Sequence, residues 1–317
     1  MSRTRNPVES GRSSPAIGLL AGASTGIFWG VPFLAPQVLK GYSSFEIAFG
    51  RFFFFGIMGL FFLPRLVRMI RAFSPIELLK VVFLSAAGFW LYSSLLFWSI
   101  QKTDGVISSL VLGLLPITIP LLTPGRRSGG CLFYAGLSMI AAGLGVLVLY
   151  PTLGRIGNLK PGDPLGIAGL VVCLLMWTVY AIANSRFLRN RRGLSSRDFS
   201  SLMGVLSLAC LLPVVLVSSN AAERAARPGF EGFILISAVL GLGSSWLANW
   251  LWNFSAKHIP SEVSGLLLVF ETIFGLFYTF LYERRFPHGF EAVSIGLSLG
   301  GVVLAVIAQV SAVDRNS

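Results

Sequence analysis

Ten stretches of about 20 predominantly apolar residues each, at 16-36, 45-63, 76-99, 105-123, 130-150, 164-187, 199-219, 231-254, 263-282 and 289-311, fill most of this 317-residue chain. At about 1.5 Å of rise per helical residue, each stretch is long enough to cross the hydrocarbon of a bilayer. Gly, Pro and basic residues punctuate the junctions, as at Pro64-Arg65, at Pro124-Gly125-Arg126-Arg127 and between Pro151 and Pro164. The sequence therefore predicts an all-α integral membrane protein of ten transmembrane helices. Only 12% of the residues are charged and 54% are hydrophobic, against about 25% charged in a soluble domain. A surface so poor in charge must meet lipid.

The net charge of +12 does not point to nucleic acid, because the cations sit in short loops between apolar spans rather than on one soluble face. Their distribution sets the orientation. With the N-terminus cytoplasmic, 16 of the 25 Lys and Arg fall on the cytoplasmic side and 8 outside, with Arg51 inside a span. This bias predicts that both termini are cytoplasmic. The Ala21-Gly22-Ala23 triplet lies mid-span with nine spans following, so the first span is read as retained rather than cleaved. Cys131, Cys173 and Cys210 lie in apolar segments without paired spacing. They are expected as buried packing residues, and no metal site or cofactor is expected.

A division near 151-163 leaves five spans on each side. Five is odd, so duplicated halves would be inverted relative to each other, an arrangement that puts a solute site at their interface near mid-membrane. The expected organisation is a tail (1-14), a first five-helix repeat (15-150), an outer linker (151-163), a second five-helix repeat (164-311) and a tail (312-317). Weak internal matches support it. Trp29 and Val31 lead toward Gly41-Tyr42-Ser43-Ser44, as Trp177 and Val179 lead toward Gly193-Leu194-Ser195-Ser196. Trp98-Ser99 through Ser108 aligns with Phe254-Ser255 through Ser264 at a constant offset.

Glu271-Thr272-Ile273-Phe274-Gly275, the Tyr282-Glu283-Arg284-Arg285-Phe286-Pro287 turn and the glycine-rich last span resemble the C-terminal half of the EamA branch of the drug/metabolite transporter superfamily. Phe49-Gly50-Arg51-Phe52 and Trp29-Gly30 resemble that branch's second and first helices. Thr272 stands where Pro is usual and Tyr282 where Gly is usual, and the first half lacks the matching turn. The resemblance implies a two-fold pseudosymmetric metabolite carrier, often an exporter.

Candidate site residues come from helical spacing. In the eighth span Trp246, Asn249, Trp250 and Asn253 share one face; in the sixth, Trp177, Tyr180 and Asn184; in the third, Trp90, Ser94 and Trp98; in the first, Trp29, Pro32, Phe33 and Pro36. An Asn facing lipid would leave its amide unsatisfied, so these faces are expected to point inward. Two readings stay open for the third, sixth and eighth spans, a solute cavity lined by indoles and amides or an interfacial belt with structural amides; in the first span the prolines mark either a simple kink or a broken helix near the site. Trp252, on another face, is expected toward lipid or the interface. Glu271 lies deep in the ninth span with Gly275 and Tyr278 on its face, and Arg51 about two turns into the second. Charges at that depth cost about 2.5–3.5 kcal/mol without a partner or water. They are candidates for coupling, substrate binding or a fixed ion pair. Glu46, at a span end, is expected to be solvated, and His258 to lie in a surface turn.

Together these features predict a secondary transporter, an exporter of small metabolites such as amino acids, working by alternating access around a central cavity. A receptor or scaffold, and a membrane-embedded enzyme, are the competing readings. Expected partners are an amphipathic solute, such as an aromatic amino acid, and the lipid bilayer of a bacterial cell inner membrane. The chain would act as a monomer or homodimer.

Overall fold

The computed structural model describes residues 15–103, 108, 111–123, 130–153, 163–191, 193–218 and 227–314. The two tails (except for the helix that runs on to Asp314) and most of the 151-163 linker therefore lie outside the described residues. The described residues are helical, with no strand. Each of the ten apolar stretches contains a helix: α1 (Pro15–Trp29), α2 (Ser44–Leu60), α3 (Pro75–Lys102), α4 (Leu115–Leu122), α5 (Gly130–Leu153), α6 (Pro164–Asn190), α7 (Ser196–Ser218), α8 (Phe230–His258), α9 (Val269–Glu283) and α10 (Gly289–Asp314). Seven of the described helical segments are long and apolar enough to cross a membrane. An eighth is α2 taken with the short helix Leu63–Arg71, from which it bends by 84°.

Local sequence fixes the helix starts. Ser43 and Glu46 form a capping box at α2, and Ser74 and Glu77 form another at α3, where Pro75 occupies the first turn. Asp163 accepts the Leu165 amide at 2.9 Å and caps α6 ahead of Pro164. Glu46, expected in solvent, is instead buried: it closes its capping box and accepts Arg227 Nη1 at 3.1 Å. A carboxylate at a span end still needs donors once neighbouring loops cover it.

Packing follows a repeated scheme. Helix α1 lies against α8 and α9, as α6 lies against α3 and α4; α2 meets α8 as α7 meets α3; α2 crosses α7, and α5 crosses α10. Both α3 and α8 contain a π-helical segment, Ala86–Trp90 and Val239–Leu247. Small residues permit the close crossings. A Cβ on Gly136 would stand 2.6 Å from the Gly301 carbonyl oxygen, and one on Gly301 would stand 2.6 Å from that of Gly136. Ion pairs tie the helix ends. Glu77, in the first turn of α3, pairs with Arg191. Lys102, at the far end of α3, reaches Asp163 at 3.3 Å, roughly 40 Å away along the helix. Each pair joins ends that the alternation of spans puts on one surface.

The cysteines depart from expectation. Cys173 is buried, but Cys210 is only partly so and Cys131 is exposed. An apolar stretch that faces lipid reads the same in sequence as one that faces protein. His258 ends α8 partly buried, stacked on Phe254 and covered by Gly18 of α1, rather than lying in a free turn.

Candidate functional site

A narrow cavity of about 30 Å³ is lined by α1 (Trp29) and the turn after it (Pro32, Phe33), by Arg51 of α2, by Gly88, Phe89, Tyr92 and Leu96 of α3, by Trp177 of α6 and by Glu271 of α9. About 10–15 Å³ of such space holds one water, so this conformation admits two or three waters and excludes a metabolite. Both sides of the 151-163 division contribute walls.

Arg51 is held by the π-helical segment of α8. Its Nε donates to Ser245 Oγ at 2.7 Å, and its Nη2 donates to the Ser244 carbonyl oxygen at 3.4 Å. That carbonyl also accepts Trp29 Nε1 at 2.9 Å. A π turn shifts the backbone bonding and leaves carbonyls free for such use; here one carbonyl orients two cavity residues from two helices. Ser244 Oγ donates to the Phe28 carbonyl at 2.6 Å, which ties the same turn to α1.

The Glu271 carboxylate makes no hydrogen bond or ion pair with another residue among those described, and it opens on the cavity that Arg51 also lines. It sits there because α1 has no side chain in the way. A Cβ on Gly26 would stand 2.9 Å from the Glu271 nitrogen and 2.6 Å from Phe270 Cβ, and one on Gly30 would stand 2.7 Å from the Gly275 nitrogen. Gly18, Gly22, Gly26 and Gly30 form one every-fourth-residue stripe whose Cβ positions all meet α8, α9 or the residues between them. The stripe is plain in the sequence as a small-residue face at helical spacing.

The aromatic residues of the cavity wall pack on one another and on Trp252. Trp29 and Trp177 meet edge to face at 5.3 Å between ring centroids. Trp252, expected at lipid, is instead buried against Trp29, also at 5.3 Å. Its neighbour Asn253 faces α6, so the indole falls on the α1 side of the same seam. Trp177 Nε1 is buried without an acceptor among the described residues.

Other expected site residues lie away from the cavity. Tyr180 donates to Asn249 Oδ1 at 3.2 Å, Asn249 Nδ2 donates to Ser200 Oγ at 3.1 Å, and Asn184 Nδ2 donates to Asn253 Oδ1 at 3.0 Å. These amides bind α6, α7 and α8 together. Trp246 donates to Ser201 Oγ at 2.9 Å and stacks on Phe62, and Trp250 packs on Trp246. Tyr278 donates to the Ile27 carbonyl at 2.6 Å and staples α9 to α1. Trp98 is partly exposed beneath the Lys102 ammonium. Conversely, Phe89, Tyr92 and Leu96 line the cavity, although the Trp90, Ser94 and Trp98 face had been the candidate in that span.

Residues 164–307 match the EamA-like transporter family. Across 92% of its length the chain is 27% identical to "Inner membrane protein YtfF" of Escherichia coli (strain K12), covering 95% of that protein. It is 28% identical over 113 residues to an "Uncharacterized transporter" of Haemophilus influenzae, 59% of that protein's length. A protein of known crystal structure superposes on 93% of the chain with a TM-score of 0.72 at 20% identity, and 99% of that chain is covered. The last likeness concerns the fold alone.

Proposed function

We propose that this chain, whose residues 164–307 match the EamA-like transporter family, is a secondary carrier that exports small amphipathic metabolites, amino acids among them, across a bacterial inner membrane. Its ten helices form two inverted five-helix halves with both termini in the cytoplasm. Transport proceeds by alternating access: the solute enters a central cavity between the halves, and the seams on its two sides open in turn.

The observation that carries this reading is the cavity itself. One acid, Glu271, and one base, Arg51, face a space otherwise walled by aromatic and aliphatic side chains. Charge at this depth is expensive in a membrane, and a carboxylate that makes no hydrogen bond among the described residues, with Arg51 across the same cavity, is suited to engaging a solute or a proton. Aromatic rings suit an apolar body, and Trp177 Nε1 offers a further donor. The paired packing of α1 with α8 and α6 with α3 supports two related halves, as do the matching π turns. The small volume supports a state closed around the site. The match to a transporter family favours carriage over a receptor or an enzyme.

A thermal-shift screen of the purified chain against amino acids, nucleosides, quaternary amines and organic cations tests the reading. A stabilising solute whose effect disappears in Glu271→Gln is expected. A solute that stabilises the wild type and Glu271→Gln equally would place binding elsewhere.

A further inference from the structure

The segment after α2 has chemistry that solute carriage does not use. Helix α2 has 17 residues, about 26 Å of rise, which is close to the hydrocarbon thickness. The chain then turns by 84° into Leu63–Arg71. A helix perpendicular to a membrane-crossing one lies along the membrane surface.

Its residues separate cleanly by direction. Leu66 is fully buried, and Met69 and Ile70 pack on the protein core, which fixes the helix against the bundle. Leu63 and Val67 are exposed apolar side chains, continuous with exposed Leu60 and Phe61 at the end of α2. Arg65, Arg68 and Arg71 are exposed on the remaining side. At 100° per residue the apolar positions span one sector and the three guanidinium groups the opposite one.

The charges are not balanced locally. Arg65 reaches Asp198 only at 4.0 Å, an acid that Arg197 also approaches at 3.3 Å, and Glu77 pairs with Arg191. Arg68 makes only a long 3.4 Å bond to the Pro64 carbonyl. Among the described residues neither Arg68 nor Arg71 has an acidic partner. Exposed apolar side chains beside unpaired guanidinium groups, held parallel to the membrane, match the layered chemistry of a phospholipid leaflet: acyl chains beneath phosphate.

We propose that Leu63–Arg71 is an interfacial helix that binds anionic phospholipid headgroups, with Arg68 and Arg71 contacting phosphate while Leu63 and Val67 insert among the acyl chains. The geometry favours lipid over free phosphate, because free phosphate would not explain the exposed apolar edge. The same helix packs on α7, so an anionic leaflet would also hold the α2–α7 crossing.

The test uses the full chain in phosphatidylcholine nanodiscs with and without phosphatidylglycerol, reading retained phosphatidylglycerol by native mass spectrometry. At roughly fivefold per cation, Arg68→Gln with Arg71→Gln is expected to weaken phosphatidylglycerol retention about 30-fold. Lys40→Gln with Arg284→Gln, which removes equal charge at the other surface, is expected to leave it unchanged. Hydrogen exchange of residues 63–71 in the wild type, expected to slow only with phosphatidylglycerol, keeps the question open to measurement if the variant does not fold. Inorganic phosphate that competes off the lipid would overturn the commitment to a leaflet. Equal retention by both double variants, or exchange indifferent to phosphatidylglycerol, would overturn the proposal.

Discussion

Arg51 and Glu271 share a cavity but are held in opposite ways. Arg51 is fixed by Ser245 Oγ and the Ser244 carbonyl, so its loss would strand groups that it satisfies. Hydrogen bonds to a charged group are worth about 1.5–3 kcal/mol each, and Arg51→Gln should lower the melting temperature measurably. The Glu271 carboxylate supports no such contact among the described residues. Glu271→Gln should therefore melt close to wild type while losing at least about tenfold in solute flux, the equivalent of about 1.4 kcal/mol. Thermal melts and flux assays on both variants check this contrast. Gly26 is a second sensitive point. A side chain there would meet Phe270 Cβ at 2.6 Å, and overpacking of this kind costs about 1–3 kcal/mol. Gly26→Val is expected to destabilise by that amount in a melt. Gly41→Ala, which meets nothing within 4 Å, is expected to be silent.

At the scale of the element, apolar length marks a helix but not the face it turns to its neighbours. The π segment Ala86–Trp90 widens α3 in the middle, so a constant helical period drawn through it loses register. The Trp90, Ser94 and Trp98 stripe runs from the end of that segment into regular helix and keeps its register, but Tyr92 and Leu96, on another face, are the residues that reach the cavity. The Asn residues of α8 show a different limit. An amide turned inward to another helix and one turned inward to a cavity satisfy the same rule, and here they meet α6 and α7. Asn253→Ala should accordingly cost about 1 kcal/mol of stability with solute affinity unchanged, as thermal shift with and without the solute would show. The start of α6 gives a pH signature. The Leu165 amide, and then Lys102, hold the Asp163 carboxyl below its usual range. A depressed folded-state value contributes stability above the unfolded value of about 4 and loses it as pH falls toward the folded one. Melting temperatures from pH 7 to pH 3 should fall less steeply for Asp163→Asn than for the wild type.

Across the whole molecule, the all-helical, membrane-spanning character was legible, because hydropathy needs no side-chain direction. What hydropathy could not supply is which helices meet. The crossing of α1 by α8 rests on small residues such as Gly18 and Gly22, and the α5–α10 crossing on Gly136 and Gly301. Glycine in an apolar stretch carries no label for its partner. The ion pairs at the helix ends, among them Glu46–Arg227 and Arg65–Asp198, join the acid that opens α2 to a loop before α8, and the acid that opens α7 to the short helix after α2. The Arg65 side of the second pair is exposed, and an exposed pair contributes about 0–1 kcal/mol, whereas Glu46 is buried.

The most direct measurement is solute counterflow in proteoliposomes that contain the purified chain, run for the solute that stabilises it and repeated with Glu271→Gln. Exchange by the wild type is expected, saturable with solute, and its loss in the variant although the variant remains folded. Exchange at an undiminished rate by Glu271→Gln, or a solute that binds at the cavity yet never crosses, would contradict it.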